Sequence, residues 1–429
     1  MKKAKDINER EVALFALLEI SESGYNNIVL QKSLSKLQEA PQVKKAFVTE
    51  VVNGVLRNQI YLDYVIESVS TVTIRKMKPF IRYLLRMSVY QMKFMDKTPA
   101  YAICDEAVKL AKKRGFAPLS NFVNGVLRNI PTTVTLPDSA KLPVQYLSVA
   151  YSYPKWLVEY WLKTIPAEVV EQFSKNSAAA PKVTLCVNTL KNTREELQGI
   201  LKEEGIHTQE GTLEDSLFVS NLPGLRTLLS FTQGRYHVMD EAAQSAVLLM
   251  DPKPGQTVLD CCAAPGGKSF YAAYRMGDAG EILSWDLHEH KISLLEEGIC
   301  RLGLKSVLHG QADALKFDPT KKEAADYVLL DVPCTGFGLL RKKPDIKMNK
   351  TMEDVLSLAA LQRRMLETCW QYVKPGGVLL YCTCTVSYTE NEENVLWFLK
   401  NFPFKEDTTT QILPSATKDG FFISRLIRS

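Results

Sequence analysis

Cys334 and Cys384, in the C-terminal third of the chain, each follow directly on an apolar run, Cys334 in "YVLLDVPCTGFG" and Cys384 in "GGVLLYCTCTV". Such runs read as buried parallel strands, each delivering its thiol into the loop beyond the strand. In open α/β sheets, chemistry gathers in the crevice past the carboxyl ends of the strands. Two thiols brought there suggest nucleophilic catalysis, in which a thiolate adds covalently to an electron-poor carbon. For any single cysteine, however, packing as a small hydrophobe is the commoner use. Cys104, Cys261, Cys300 and Cys369 keep that bland reading. So does Cys382, which is expected to face away from Cys384.

A small-residue turn nearby suggests where a co-substrate would sit. "VLDCCAAPGGKS" reads as strand, turn and helix start; Ala263, Ala264, Gly266 and Gly267 let a ligand approach the backbone, and the helix start offers free N–H groups. A phosphate-binding loop would need glycine where Cys262 stands, and the dinucleotide pattern G-x-G-x-x-G is absent. A third reading is an S-adenosylmethionine site, which wants a carboxylate at the next strand end for the ribose hydroxyls. Asp286 closes the second strand, 26 residues after Asp260. Asp313 closes the third and could accept from an adenine amino group. Either aspartate alone could instead be a turn or helix cap.

These residues require a scaffold, and the rhythm of the chain supplies one. From Thr257 onward, "TVLDCCA", "EILSWDL", "SVLHGQADA", "YVLLDVP" and "GGVLLYCTC" alternate with helical stretches. This predicts an α/β, Rossmann-like, doubly wound parallel sheet, with "GFFISRLIRS" as the last strand at its edge. Residues 5–130 read as helices, among them an amphipathic one with Val12, Phe15, Leu18 and Ile20 on its apolar face. "VKKAFVTEVVNGVLRNQIYLDYVIESV" needs two helices or one bent one, and another starts with Thr98 as N-cap. "VNGVLRN" at Val52–Asn58 recurs at Val123–Asn129, a single echo that fits a pseudo-duplicated bundle. The expected division is an all-helical domain at 1–132, a linker at 133–154, a small α+β lobe at 155–235 and the catalytic domain at 236–429. In the lobe, Thr193 and Glu196 should form a capping box.

Composition bounds the partners. The 429 residues exceed one ordinary core and are 46% apolar and 24% charged. No apolar run reaches membrane-spanning length, and Asp6, Glu9, Glu11 and Glu19 interrupt any export signal. Nine cysteines without framework spacing fit a reducing cytoplasm, and the lack of a C-x2-C pair argues against zinc. Residues 1–130 carry 21 Lys+Arg against 12 Asp+Glu, and the rest 32 against 36. A basic front suggests a polyanion as partner, although a solvated lysine-rich surface would look the same.

Together the motifs "DEAAQSAV" (240–247), "DCCAAPGGKS" (260–269), "DVPCTGFG" (331–338), "RKKPDIK" (341–347) and "YCTCTVSYTENEENV" (381–395) resemble the RNA cytosine-C5 methyltransferases, in particular those that modify 16S ribosomal RNA. The front with its two "VNGVLRN" segments is similar to the NusB-type RNA-binding domain of that group. The resemblance implies methyl transfer from S-adenosylmethionine to cytosine C5. It implies Cys384 as nucleophile, Cys334 as an aid to release, and Asp331 as partner of the base N3 that also lies near the cofactor. Pro333 would shape the turn and offer its carbonyl to the base. Cys262, Ala263, Ala264, Pro265, Gly266, Gly267 and Lys268, with Asp286 and Asp313, would hold the cofactor. The expected state is a monomer that binds RNA, without membrane or metal.

Three alternatives remain at this level. DNA cytosine-C5 methyltransferases use the loop cysteine and would not need Cys384. Relatives acting on transfer RNA share the rear domain. A non-enzymatic RNA-binding module would need only the front. One departure is Cys186 in "LCVN", where the group usually has an arginine suited to a phosphate contact; Lys182, Lys191 or Arg194 could compensate.

Overall fold

The structure, a computed structural model, describes residues 8–429 apart from 24–25, 36, 38–41, 97, 179–181, 221 and 223. Asp6 of the N-terminal reading lies outside the described residues. Two compact units emerge, Met1–Ala178 with Lys343–Asn349, and Ala179–Lys342 with Lys350–Ser429.

The first unit is helical: α1 (Glu9–Ser23), α2 (Asn26–Ser35), α3 (Gln42–Arg57), α4 (Gln59–Glu67), α5 (Pro79–Phe94), α6 (Ala100–Lys113), α7 (Ser120–Arg128), α8 (Pro143–Tyr151), α9 (Lys155–Trp161) and α10 (Ala167–Ala178). The long apolar stretch is thus two helices, parted at Asn58. Both copies of "VNGVLRN" end a helix in the same way: Asn58 Nδ2 donates to Gly54 O at 2.9 Å and Asn129 Nδ2 to Gly125 O at 2.8 Å. Pro99, not Thr98, occupies the N-cap of α6. The buried face of α1 is Ala13, Leu14, Ala16, Leu17 and Ile20, whereas Phe15 is exposed with the Arg114 guanidinium over its ring. The stretch 133–154, expected as a linker, contains α8, which packs on α4 and α10. Its apolar face, with Leu147 and Val149 buried, needs a partner that an extended linker would not supply.

The second unit begins with β1 (Val183–Val187), α11 (Arg194–Glu203), β2 (His207–Glu210), β3 (Ser216–Ser220), α12 (Leu229–Thr232) and β4 (Tyr236–Val238), and Thr193 and Glu196 do form a capping box on α11. These strands make an antiparallel sheet of order β2-β3-β1-β4. Then follow α13 (Glu241–Met250), β5 (Thr257–Asp260), α14 (Gly267–Arg275), β6 (Glu281–Asp286), α15 (Glu289–Leu302), β7 (Val307–Gln311) and β8 (Ala325–Asp331). A short α16 (Ile346–Asn349) belongs to the helical unit. The chain ends with α17 (Met352–Cys369), β9 (Val373–Thr383), α18 (Glu392–Asn401), β10 (Phe404–Ile412) and β11 (Phe421–Arg428).

The large sheet has order β10-β11-β9-β8-β5-β6-β7. Strands β5 to β9 pair in parallel, as their apolar runs predict. The sheet is nevertheless mixed: β11 lies antiparallel between β9 and β10, so the tail is an inner strand and β10 forms the edge. β10, "FKEDTTTQI", is mostly exposed, which is why no apolar signal announces it. Alternate strand residues feed two cores. Val258, Leu329 and Leu380 enter one, and Leu259, Leu330 and Leu379 the other.

Candidate active site

Strand order reverses where β5 sits between β8 and β6, the topology that opens a crevice beyond the carboxyl strand ends. A cleft of about 280 Å³ lies there, with Cys262, Ala264, Asp286, Asp313, Asp331 and Pro333 in its wall. Leu315, Leu361 and Met365 make part of it apolar, and His288 and Lys291 stand beside Asp286. Sequence reasoning named neither of these two, since no motif marks them.

The carboxylates are anchored by their own loops. Asp286 Oδ1 accepts from His288 N at 3.1 Å and lies 3.5 Å from Lys291 Nζ. Asp313 Oδ1 accepts from Leu315 N at 3.0 Å. The turn before α14 is built from small residues for steric reasons. Gly266 has φ +106°, a conformation that disfavours a side chain, and a Cβ there would run into the Phe270 ring. Ala263 N donates to Trp285 O at 2.7 Å, tying the turn to β6. Beneath it, Asp260 accepts from Ser269 Oγ at 2.7 Å and is pushed up to about 7 by burial.

Not every residue expected at the cofactor lines this cleft. Ala263, Pro265, Gly266, Gly267 and Lys268 are absent from its wall. Ala263 is buried in a core, and Gly267 opens α14. Lys268 Nζ lies 2.5 Å from Asp331 Oδ2 and 5.0 Å from the Phe421 ring centroid. Burial opposes its charge, but Asp331 outweighs that and raises its pKa. Lys268 thus pairs with a carboxylate of the cleft wall.

The two thiols meet. β8 and β9 run parallel with Asp331 opposite Cys382, so their loops leave the sheet at one level. Cys334 Sγ lies 3.3 Å from Cys384 Sγ. The Cys384 contact, followed by burial, pushes the Cys334 thiol well above its ordinary value. Cys382 does not face away from Cys384, because residues two apart along a strand share a face. It lies in the same apolar cluster, against which Cys384 packs. Cys261 and Cys369 are buried in the other core and Cys104 in the helical unit, but Cys300 is exposed, contrary to expectation. Cys186 is buried against α14 in the core that holds Tyr271 and Tyr274. Of its possible substitutes, Arg194 pairs with Glu210 and Lys191 donates to Gln233 O.

A polar network behind the thiols escaped sequence reasoning. Glu390, with no exposed surface, accepts from Thr335 N at 2.9 Å, Thr335 Oγ1 at 2.5 Å and Gln362 Nε2 at 3.0 Å. The signal available was the run of acidic and amide residues in "TENEENV", directly after a strand. Gln362 Nε2 also donates to Pro333 O at 2.9 Å, so the carbonyl expected to serve the base already has one donor. Among the described residues no group of three or more metal-ligating side chains is arranged to hold an ion, and no helix is long and apolar enough to cross a membrane.

A parallel-centred sheet with a cleft at its switch point and carboxylates on the following strand ends is the architecture of S-adenosylmethionine-dependent methyltransferases. The cleft fits that cofactor, offering carboxylates for ribose hydroxyls and apolar walls for an adenine ring. The model of 16S rRNA methyltransferase RsmB/F matches residues 247–427, that of the NusB family residues 7–131, and that of the RsmF/B-like ferredoxin-like domain residues 153–221. The probable ribosomal RNA small subunit methyltransferase B of Bacillus subtilis (strain 168) is 38% identical over 443 residues, covering 98% of either chain. The Vibrio cholerae ribosomal RNA small subunit methyltransferase B is 31% identical, over 98% of this chain and 97% of that one. The crystal structure of PH0851 matches at TM-score 0.80 and 28% identity, over 98% and 99% of the two chains. NSun6 from Pyrococcus horikoshii, solved with the S-adenosylmethionine analogue SFG, shares the fold over 64% of this chain and 98% of its own, at TM-score 0.58 and 24% identity. The chain belongs to the ribosomal RNA small subunit methyltransferase B family, whose cofactor is S-adenosylmethionine.

Proposed function

We propose that this enzyme methylates C5 of a cytosine in 16S ribosomal RNA, through a transient bond between Cys384 and C6 of the base. The observation that carries the reading is the pair of thiols from adjacent strand ends, 3.3 Å apart, beside a cleft whose wall includes Asp286, Asp313 and Asp331. Cytosine C5 is a weak nucleophile. Addition of the Cys384 thiolate at C6 makes the ring enamine-like, so that C5 can attack an electrophilic methyl group. S-adenosylmethionine bound in the cleft supplies that methyl group.

Cys334 keeps its proton because its pKa is raised by the Cys384 contact and burial. After methylation, loss of the C5 proton restores the C5–C6 double bond and expels the Cys384 thiolate, a departure that the Cys334 thiol assists by donating toward the sulfur. Asp331 serves N3 as half of an ion pair with Lys268, so a proton for N3 is drawn from the pair rather than from an isolated carboxyl. The target base must leave any helix to reach the crevice, with the basic helical unit gripping the surrounding RNA. Thiol chemistry of this kind suits a reducing cytoplasm.

The test is to incubate Cys334→Ala with S-adenosylmethionine and 16S ribosomal RNA and run a denaturing gel. A covalent protein–RNA band is expected, and bisulfite sequencing should show the modified cytosine lost in a deletion strain. Full methylation by Cys384→Ser with none by Cys334→Ser would reverse the roles and sink the assignment.

A further inference from the structure

We propose that Glu390 is a positioning residue that sets the spacing of the two thiols through Thr335, Thr385 and Gln362. The proposal rests on the two-thiol reading above. Cys334 and Cys384 lie on separate loops, and among the described residues the backbone bonds between those loops are two: Val332 N donates to Cys382 O at 3.1 Å and Gly338 N to Cys384 O at 3.1 Å. Between those points the side-chain network does the holding. The Glu390 carboxylate takes both the backbone N–H and the hydroxyl of Thr335, the residue after Cys334. Thr385, the residue after Cys384, donates its hydroxyl to Thr335 Oγ1 at 2.7 Å and accepts from Phe337 N at 3.2 Å. Gln362 on α17 donates to both Glu390 and Pro333 O, closing the far side of the Cys334 loop.

The donors converge on one group, and the Glu390 carboxylate accepts from them all. Thr335 N–H and the Gln362 amide share Oε2, while the Thr335 hydroxyl holds Oε1. Glu390 is itself fixed from behind. Its backbone carbonyl accepts from Tyr381 OH at 2.6 Å and from Asn394 Nδ2 at 3.2 Å. A glutamine there keeps one oxygen for Thr335 N–H and Gln362 but puts an N–H₂ group against the Thr335 hydroxyl, which must then reverse its bond to Thr385 and re-form the link that couples the two loops. Glu390 acts on the Cys334 sulfur through its charge, which adds to the Cys384 contact and burial in raising that thiol, and on the spacing of the two loops through its hydrogen bonds. A displacement of about 1 Å in a reacting pair is enough to cost on the order of 100-fold in rate.

The deciding experiment compares Glu390→Gln, Thr335→Val and their double variant in the full-length enzyme. S-adenosylmethionine affinity is measured by calorimetry, and turnover and adduct level on 16S ribosomal RNA. For Glu390→Gln, kcat should fall on the order of 100-fold with unchanged cofactor affinity and RNA KM, and adduct should accumulate as in Cys334→Ala. Thr335→Val should lose about 10-fold and add nothing in the double variant, because both act through one network. Wild-type kcat in Glu390→Gln, or losses that multiply in the double variant, overturn the proposal. If Glu390→Gln no longer binds cofactor, Thr335→Val alone decides, and wild-type turnover and adduct level there overturn it. Failure of Cys334→Ala to trap RNA sinks the two-thiol reading and this inference with it. Trapping by Cys334→Ala with normal release by Glu390→Gln sinks this inference alone.

Discussion

The cofactor cleft and the thiol pocket sit a few residues apart on the same sheet, yet they are built by different means. On the cofactor side, Asp286 and Asp313 each take a backbone N–H two residues further on, so their orientation is decided within their own turns. On the thiol side, the loops after β8 and β9 are held by Glu390, Gln362 and Thr385, residues 28 to 55 positions away from their partners. A cofactor site made of local turns tolerates change elsewhere in the chain. A thiol pair made of long-range bonds depends on several elements arriving together.

The comparison can be broken most severely at the thiols. Cys384→Ser replaces the nucleophile by a hydroxyl of much higher pKa, and turnover on RNA should fall by about 10⁴-fold or more. Cofactor affinity, measured by calorimetry, should stay within about two-fold, because Cys384 does not line the cleft. A parallel loss of cofactor binding would show that the two regions are not separable.

The converse experiment is smaller. Asp286→Asn keeps the shape of the turn but removes the charge, and a charged hydrogen bond contributes about 1.5–3 kcal/mol. S-adenosylmethionine affinity should weaken about 10- to 100-fold. The Cys334→Ala adduct should still form at saturating cofactor. An unchanged affinity would remove Asp286 from the cofactor site.

The same contrast explains what could be read from the sequence. Strands β5, β6, β8 and β9 carry apolar runs because their faces are buried, whereas β7 at the sheet edge is mostly exposed; the small-residue turn and strand-end aspartates obey local rules. Cys334 and Cys384 were placed correctly at strand ends, but nothing local states that Asp331 lies opposite Cys382, the register that brings the sulfurs together. The family resemblance implies Lys268 as a cofactor residue. Lys268 points to Asp331 because a buried ammonium needs a counter-charge, and that carboxylate lies 63 residues away. Strand β10 and helix α8 were missed for different reasons. One is polar because it forms an exposed edge, and the other starts on Pro143 and spans only nine residues.

The turn itself offers a milder disturbance of the cofactor side. Gly266→Ala adds a methyl group at φ +106° against the Phe270 ring. The unfolding free energy should drop by about 1–3 kcal/mol, read by chemical denaturation. The thiol pair should be spared, so the trapped adduct should persist. An alanine accommodated at no cost would mean that the turn relaxes freely.

The smallest effect tests a long-range prop under the cofactor turn. His237 on β4 is buried, with Nε2 at 3.1 Å from Gly267 O and Nδ1 at 3.2 Å from Tyr274 OH. A neutral ring satisfies both, donating from Nε2 and accepting at Nδ1. Burial, with Arg301 adding to it and the Gly267 carbonyl opposing, lowers its pKa from 6.5 to about 3. Between those values the unfolded chain binds a proton that the folded chain refuses, so stability falls as the pH drops below 6.5. The loss should be about 1 kcal/mol over the first pH unit below that point and steepen toward ~1.4 kcal/mol per unit below it. His237→Gln can donate to the Gly267 carbonyl and accept from Tyr274 without titrating, so its denaturation curves should lack this component while other acid-sensitive groups remain. If wild type and variant lose stability in parallel between pH 6.5 and about 5, the ring is protonated in the folded state.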